Sequence, residues 1–172
     1  NDFRIIWDNA YGVHHLTDEP ETCPNILDAC RKAGHEDRPL LFCSTSKITL
    51  AGGGIGAMAS SIANIKAFGE YLFPMTICFD KLNQLRHVRF LQQEGGIAAH
   101  MKKPAALIAP KFAKVIEILH DRLDSCGRIA PWTDPKGGYF LRFYSPYRSA
   151  KPTVALVNDA GVFFSVQSHL IQ

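Results

Sequence analysis

Two short apolar runs separated by a helical pattern constrain this chain more than any other feature. RIIWD (4–8) and RPLLFC (38–43) are bounded by turn formers and read as buried strands. Between them, CPNILDACRKAG (23–34) sets Ile26, Leu27, Cys30 and Ala33 at helical spacing. Pro24 suits a first turn and Gly34 a C-terminal cap. Strand, helix and strand over this length form a βαβ unit, which makes the two strands parallel and calls for helices over the sheet. The expected fold class is α/β.

The rest of the chain extends that layer. A short strand, IGAMAS (55–60), and a helix over 61–72 are expected next. DKLNQLRHVRFLQQ (80–93) reads as helix. So does PAALIAPKFAKVIEILHDRLDS (104–125), whose Leu107, Ile108, Phe112, Val115, Ile116 and Leu119 fall on one stripe. Pro110 should kink this helix or begin a second one. The pattern then changes. PWTDPKGGYFLRFYS (131–145) reads as a turn and an alternating strand, KPTVALVNDAG (151–161) as a short helix, and VFFSV (162–166) as a strand. A boundary near residue 126 is expected, with the α/β layer over 1–125 and a smaller α+β unit over 126–172.

Composition removes several classes. A formal charge of +3 with no Lys/Arg block gives no basic arm for nucleic acid. Five scattered cysteines without a CxxC pair read as reduced, cytosolic thiols rather than a disulfide framework or zinc site. No apolar run is long enough to span a membrane. The chain opens on Asn1 and at once enters a strand-like run, as a fragment of a longer protein would. His14 and His15 are adjacent and point in different directions, so they read as packing or hydrogen-bonding residues and no metal is expected. The glycine run 52–54 lacks the G-x-x-x-x-G-K-[ST] spacing of a nucleotide loop.

What remains is a set of polar residues just beyond the two strand ends: Asp8, Tyr11, Ser44 and Lys47. Open parallel sheets bind ligands beyond the carboxyl ends of their strands. An acid, a phenol, a hydroxyl and an amine together are what pyridoxal 5′-phosphate uses. Its aldehyde joins a lysine, its ring nitrogen pairs with a carboxylate, its phenolate oxygen takes a hydrogen bond, and its phosphate takes hydroxyl and backbone donors.

The motifs DNAYGVHHL, STSKIT, NQLRHVRFL, APKF and PKGGYF occur in that order over about residues 3 to 162. Together they resemble the fold-type I PLP enzymes of the aspartate aminotransferase superfamily. Within it they are most similar to bacterial aminotransferases related to the aminotransferase-like domain of MocR-type regulators. The resemblance implies the C-terminal part of a PLP-binding large domain, its mostly parallel sheet flanked by helices, with a long linking helix. A partial small α+β domain would follow.

It further implies Lys47 as the Schiff-base lysine and proton carrier, Asp8 as the partner of the pyridinium nitrogen, and Tyr11 as the donor to the ring O3′. Ser44 and Ser46 would bind phosphate. Most of the superfamily has a phosphate-gripping arginine where this chain has Gly54 or Ile55. The helix carrying Lys81, Arg86, His87 and Arg89 reads as a solvated face, and the resemblance brings that neighbourhood toward the other subunit's active site. The implied activity is transamination between an acidic or small neutral amino acid and a 2-oxo acid, by a cytoplasmic homodimer of the full-length protein. This chain alone would lack part of its active site. The alternative is a non-catalytic, PLP-binding effector domain of a MocR-type regulator.

Overall fold

A computed structural model describes residues 2–124, 130–144 and 151–163. Its elements are β1 (Ile5–Asp8), α1 (Ile26–Lys32), β2 (Pro39–Ser44), β3 (Gly56–Ala59), α2 (Ile62–Thr76), α3 (Lys81–Gln93), α4 (Ile97–Leu123) and α5 (Lys151–Asp159). The α/β class read from the sequence is what forms.

The βαβ unit is built from local signals. Asn25 caps α1, its side chain accepting from the amides of Leu27 (3.1 Å) and Asp28 (3.3 Å), so Pro24 stands just outside the helix rather than in its first turn. At the other end Gly34 takes φ +73°. Its N–H donates to Arg31 O (3.0 Å) and the N–H of His35 to Cys30 O (2.8 Å), which turns the chain back toward β2. β1 and β2 then pair in parallel, Ile5 opposite Pro39 through Asp8 opposite Phe42.

The described sheet is mixed, in the order β1-β2-β3. β3 pairs antiparallel to β2, Ser44 opposite Gly56. The loop over 45–55 joining them is too short for the crossover a parallel return requires.

Two helices differ from their expected limits. Ser61 caps α2 through the Asn64 amide (3.2 Å), and the helix runs on past 72 through Pro74 to Thr76. α4 starts at Ile97 instead of Pro104, directly after Gly95 and Gly96 close α3. Pro110 begins no second helix, because a stripe of at least half-buried side chains (Met101, Ala105, Ile108, Phe112, Ile116, Leu119) continues across it. Leu107 and Val115 were expected on that stripe and are exposed.

Two compact units are distinguished: Asn1–Ala109 with Lys136–Gly138, and Pro110–Pro135 with Tyr139–Gln172. The expected boundary near residue 126 lies outside the described residues. No strand forms over 130–144, where Trp132 and Phe143 make a single bridge, nor at Val162 and Phe163. Residues 164–166 of the last expected strand lie outside the described residues.

Few side chains are fully covered. Cys30, Pro39, Met101 and Ala130 are the buried apolar residues among those described, and His14 and His87 are buried polar ones. His87 therefore departs from the solvated face expected of α3. Large apolar side chains on α2, among them Ile62, Tyr71, Phe73 and Met75, stay exposed.

Candidate active site

Because β1 and β2 are parallel, their carboxyl ends open on one edge of the sheet. Asp8 closes β1 opposite Phe42, and Ser44 closes β2 two residues further on. Residues in register, and residues two apart along a strand, share a face. Asp8, Phe42 and Ser44 therefore stand on one face at this edge. Gly56 lies opposite Ser44 on β3 and presents no side chain there.

Beyond β2 the chain makes a tight turn. The amides of Ile48 (2.9 Å) and Thr49 (2.8 Å) both donate to Thr45 O. Thr45 is tied across to Ile55, donating through its N–H to Ile55 O (2.9 Å) and accepting the Ile55 N–H on Oγ1 (2.8 Å). Lys47 projects, exposed, from the middle of this turn. Ser44 Oγ accepts from the Ser46 amide (3.1 Å) and donates to Ser46 Oγ (3.0 Å), so the two serines form one paired hydroxyl site.

Tyr11 reaches the turn through His14. The two rings meet edge-on at 5.2 Å, and the His14 amide donates to Tyr11 O (3.0 Å). His14 is 2% exposed, and its Nε2 lies 3.2 Å from Lys47 O. The PKGGYF segment braces this loop. Gly138 N–H donates to His14 O (2.7 Å), Leu16 N–H donates to Lys136 O (2.9 Å), and a Cβ on Gly137 would sit 2.7 Å from His14 O. Asp8 is exposed, with Oδ1 accepting the Ala10 amide (3.1 Å).

Of the five residues singled out by sequence, Ser44 and Ser46 are thus in direct contact. Tyr11 and Lys47 meet through His14, and Asp8 arrives at the same edge through the strand ladder.

The glycine run lies against the turn from the other side. A Cβ on Gly54 would stand 2.6 Å from Ser46 Oγ and 2.8 Å from Ser46 N. A side chain at Gly54 does not fit there without moving the turn. α3 supplies what lies beside it. Asn83 Nδ2 donates to Gly54 O (3.3 Å), and Arg86 Nη2 donates to Asn83 Oδ1 (2.6 Å) and Gly53 O (3.4 Å).

Two further polar residues bear on the turn: His87, read from the sequence only as part of a solvated face, and His100, which the sequence did not single out. His87, 5% exposed, places Nδ1 2.9 Å from Asn83 O and Nε2 2.8 Å from Thr49 Oγ1. His100 on α4 places Nε2 2.8 Å from Ile48 O and Nδ1 3.2 Å from Glu94 Oε2. Hydrogen bonds from Lys103 and then from His100 hold the Glu94 carboxyl below the ordinary carboxylate range. Among the described residues, no group of three His, Cys, Asp or Glu side chains could hold a metal ion. No helix among them is long and apolar enough to cross a membrane.

Comparison with known proteins bears on the family and the fold. The family profile described as aspartate amino-transferase matches residues 1–168. A Mycolicibacterium smegmatis protein is 49% identical over 161 residues, covering 94% of this chain and 37% of that protein. An aspartate aminotransferase of Corynebacterium glutamicum is 43% identical over 161 residues, with the same two coverages. The crystal structure of an aspartate transaminase from Corynebacterium glutamicum superposes with a TM-score of 0.86 at 42% identity, over 95% of this chain and 38% of that one. The α-aminoadipate aminotransferase LysN of Thermus thermophilus, 19% identical, shares the fold with a TM-score of 0.70, over 94% of this chain and 40% of its own. The chain spans 37% of the length of the curated relatives it matches. With a profile match over nearly all of its residues, the chain belongs to the aspartate aminotransferase family.

Proposed function

We propose that the complete protein is a pyridoxal 5′-phosphate-dependent aminotransferase whose cofactor is anchored on Lys47. The observation that carries this reading is the shared edge. Two parallel strands end together, and one carboxylate, a pair of hydroxyls and an exposed amine follow directly from those ends. The donor set fits the cofactor. The Ser44 and Ser46 hydroxyls suit a phosphate, while Gly54 and Gly56 keep bulk away from them. The Asp8 carboxylate suits a protonated ring nitrogen, and the Tyr11 hydroxyl suits the ring's phenolate oxygen.

When bound, the cofactor supplies an electron sink for the bonds at the substrate Cα. The residues of this chain do the rest. Lys47 Nζ takes the proton from the substrate Cα and returns it on the other side of the exchange, which only the neutral amine can do. Asp8 keeps a proton on the ring nitrogen, and Tyr11 donates to the ring oxygen. Ser44 and Ser46 would hold the phosphate end and so orient the cofactor toward Lys47.

The substrates in this reading are an amino acid, acidic or small and neutral, and a 2-oxo acid. The named Corynebacterium glutamicum relatives favour aspartate, and they favour an enzyme over a regulator's effector domain. A place in the MocR-related subgroup rests on the motifs DNAYGVHHL, STSKIT, NQLRHVRFL, APKF and PKGGYF together. A cytoplasmic location draws on the free thiols of Cys23, Cys30, Cys43 and Cys78. A homodimer draws on the exposed apolar side chains of α2, which call for covering by further polypeptide. The test is absorbance of the complete protein with added cofactor, followed by amino-group transfer from aspartate. A visible band that Lys47→Ala removes is the expected result. A band that survives the substitution unchanged overturns the assignment.

A further inference from the structure

Three consecutive residues of the turn are each met by a histidine, and each histidine comes from a different part of the chain. His14, in the loop after β1, faces Lys47 O at 3.2 Å. His100, on α4, faces Ile48 O at 2.8 Å. His87, on α3, faces Thr49 Oγ1 at 2.8 Å. His14 is 2% and His87 5% exposed, and the His100 side chain retains 14%. We infer that these three histidines are positioning residues, a clamp that fixes the Lys47 turn and so sets where its amine reaches.

The chemistry fits that role. A carbonyl oxygen only accepts, so His14 and His100 must each carry a proton on Nε2. His100 is aimed by Glu94, whose carboxylate stands 3.2 Å from Nδ1 and is itself gripped by Lys103. His87 places Nδ1 2.9 Å from Asn83 O and Nε2 2.8 Å from Thr49 Oγ1, a hydroxyl that also reaches Thr45 O at 3.2 Å within the turn. Imidazole suits the task because it is rigid and has a hydrogen-bonding nitrogen on each of two sides of one ring. It can bond the turn with one nitrogen and a second anchor with the other: the Asn83 carbonyl on its own helix for His87, and Glu94, at the end of α3, for His100. The turn is tied internally through Thr45, and the three imidazoles brace it from outside at Lys47, Ile48 and Thr49. A displacement of about 1 Å at a reacting group can cost about a hundredfold in rate.

The inference rests on the reading of Lys47 as the reactive lysine, and the test separates the two. In the complete holoenzyme, the borohydride-trapped adduct is first mapped by peptide mass spectrometry. An adduct elsewhere than Lys47 ends the cofactor reading. With the adduct at Lys47, His14→Leu and His100→Leu should each lower kcat about 10- to 100-fold with KM changed less than about threefold. His14→Gln and His100→Gln, which return an N–H near the lost Nε2, should recover most of the loss. Should the Leu variants not fold, Thr49→Val, which at constant volume removes the His87 contact together with the Thr45 O bond, should lower kcat about 10-fold. The clamp is refuted if the folded variants keep wild-type kcat and trapping rate, or if Gln restores no more than Leu.

Discussion

Gly54 allows the geometry of the turn to be tested with a single methyl group. Gly54→Ala places a Cβ 2.6 Å from Ser46 Oγ, 2.8 Å from Ser46 N and 3.0 Å from Ser46 Cα. The hydroxyl can rotate away, but the backbone atoms move only if the turn carrying Lys47 moves. Forcing a methyl group into such a space costs about 1–3 kcal/mol. Replacing glycine also narrows the unfolded ensemble, which offsets about 0.4–1 kcal/mol. The net loss is therefore about 1–2 kcal/mol, a factor of roughly 5–30 in an equilibrium constant. Gly53→Ala is the internal control. Its Cβ meets Arg86 Nη2 and Leu50 Cδ2 at 3.1 Å, the ends of two flexible side chains, so the change should stay within about 0.5 kcal/mol. Urea unfolding of the cofactor-free protein and titration with the cofactor read the two consequences, strain and a displaced Ser46. Gly54→Ala should lower the midpoint or weaken the cofactor by that factor, and Gly53→Ala should do neither. Equal behaviour of the two variants would refute the close packing of Gly54 on Ser46.

Two further outcomes follow from α3 and the start of α4. Asp80 caps α3 through the Asn83 amide (2.9 Å), and Asp80→Ala should cost about 1 kcal/mol of helix stability. Hydrogen exchange at Asn83 and Gln84 should quicken about fivefold, and unchanged exchange would contradict the cap. Glu94 is held below the ordinary carboxylate range by Lys103 and His100. Its depressed folded value means that its contribution is complete above the unfolded pKa and is lost as pH falls through the folded one. Glu94→Gln should therefore flatten the acid limb of the stability curve, and an acid limb of unchanged slope would count against the pairing.

The parts of the fold that were legible in the sequence carry their own local signals. β1, α1 and β2 are short apolar runs punctuated by Asn25 and Gly34, and the register of two such strands places Asp8 and Ser44 at one edge. The start of α4 was not legible. IAAHMKK shows little apolar stripe by itself, and His100 is covered by contacts with Glu94 and with the Ile48 carbonyl far away in sequence. His87 looks like one more polar residue on a charged helix. Its burial depends on Thr49, which lies 38 positions upstream. The candidate site divides in the same way. Residue types announced the amine, the acid and the hydroxyls, whereas the three histidines became meaningful only once tertiary structure brought them to one turn. The missing arginine was visible as an absence, whereas the close packing of Gly54 on Ser46 was not.

The claim on which the account depends is that Lys47 carries the cofactor. Borohydride reduction of the complete protein with pyridoxal 5′-phosphate, followed by proteolysis and mass spectrometry, tests it directly. The account predicts one dominant adduct on the peptide containing Ser44, Ser46 and Lys47, lost in Lys47→Ala. Labelling centred on another lysine, or spread evenly over the exposed ones, would contradict it.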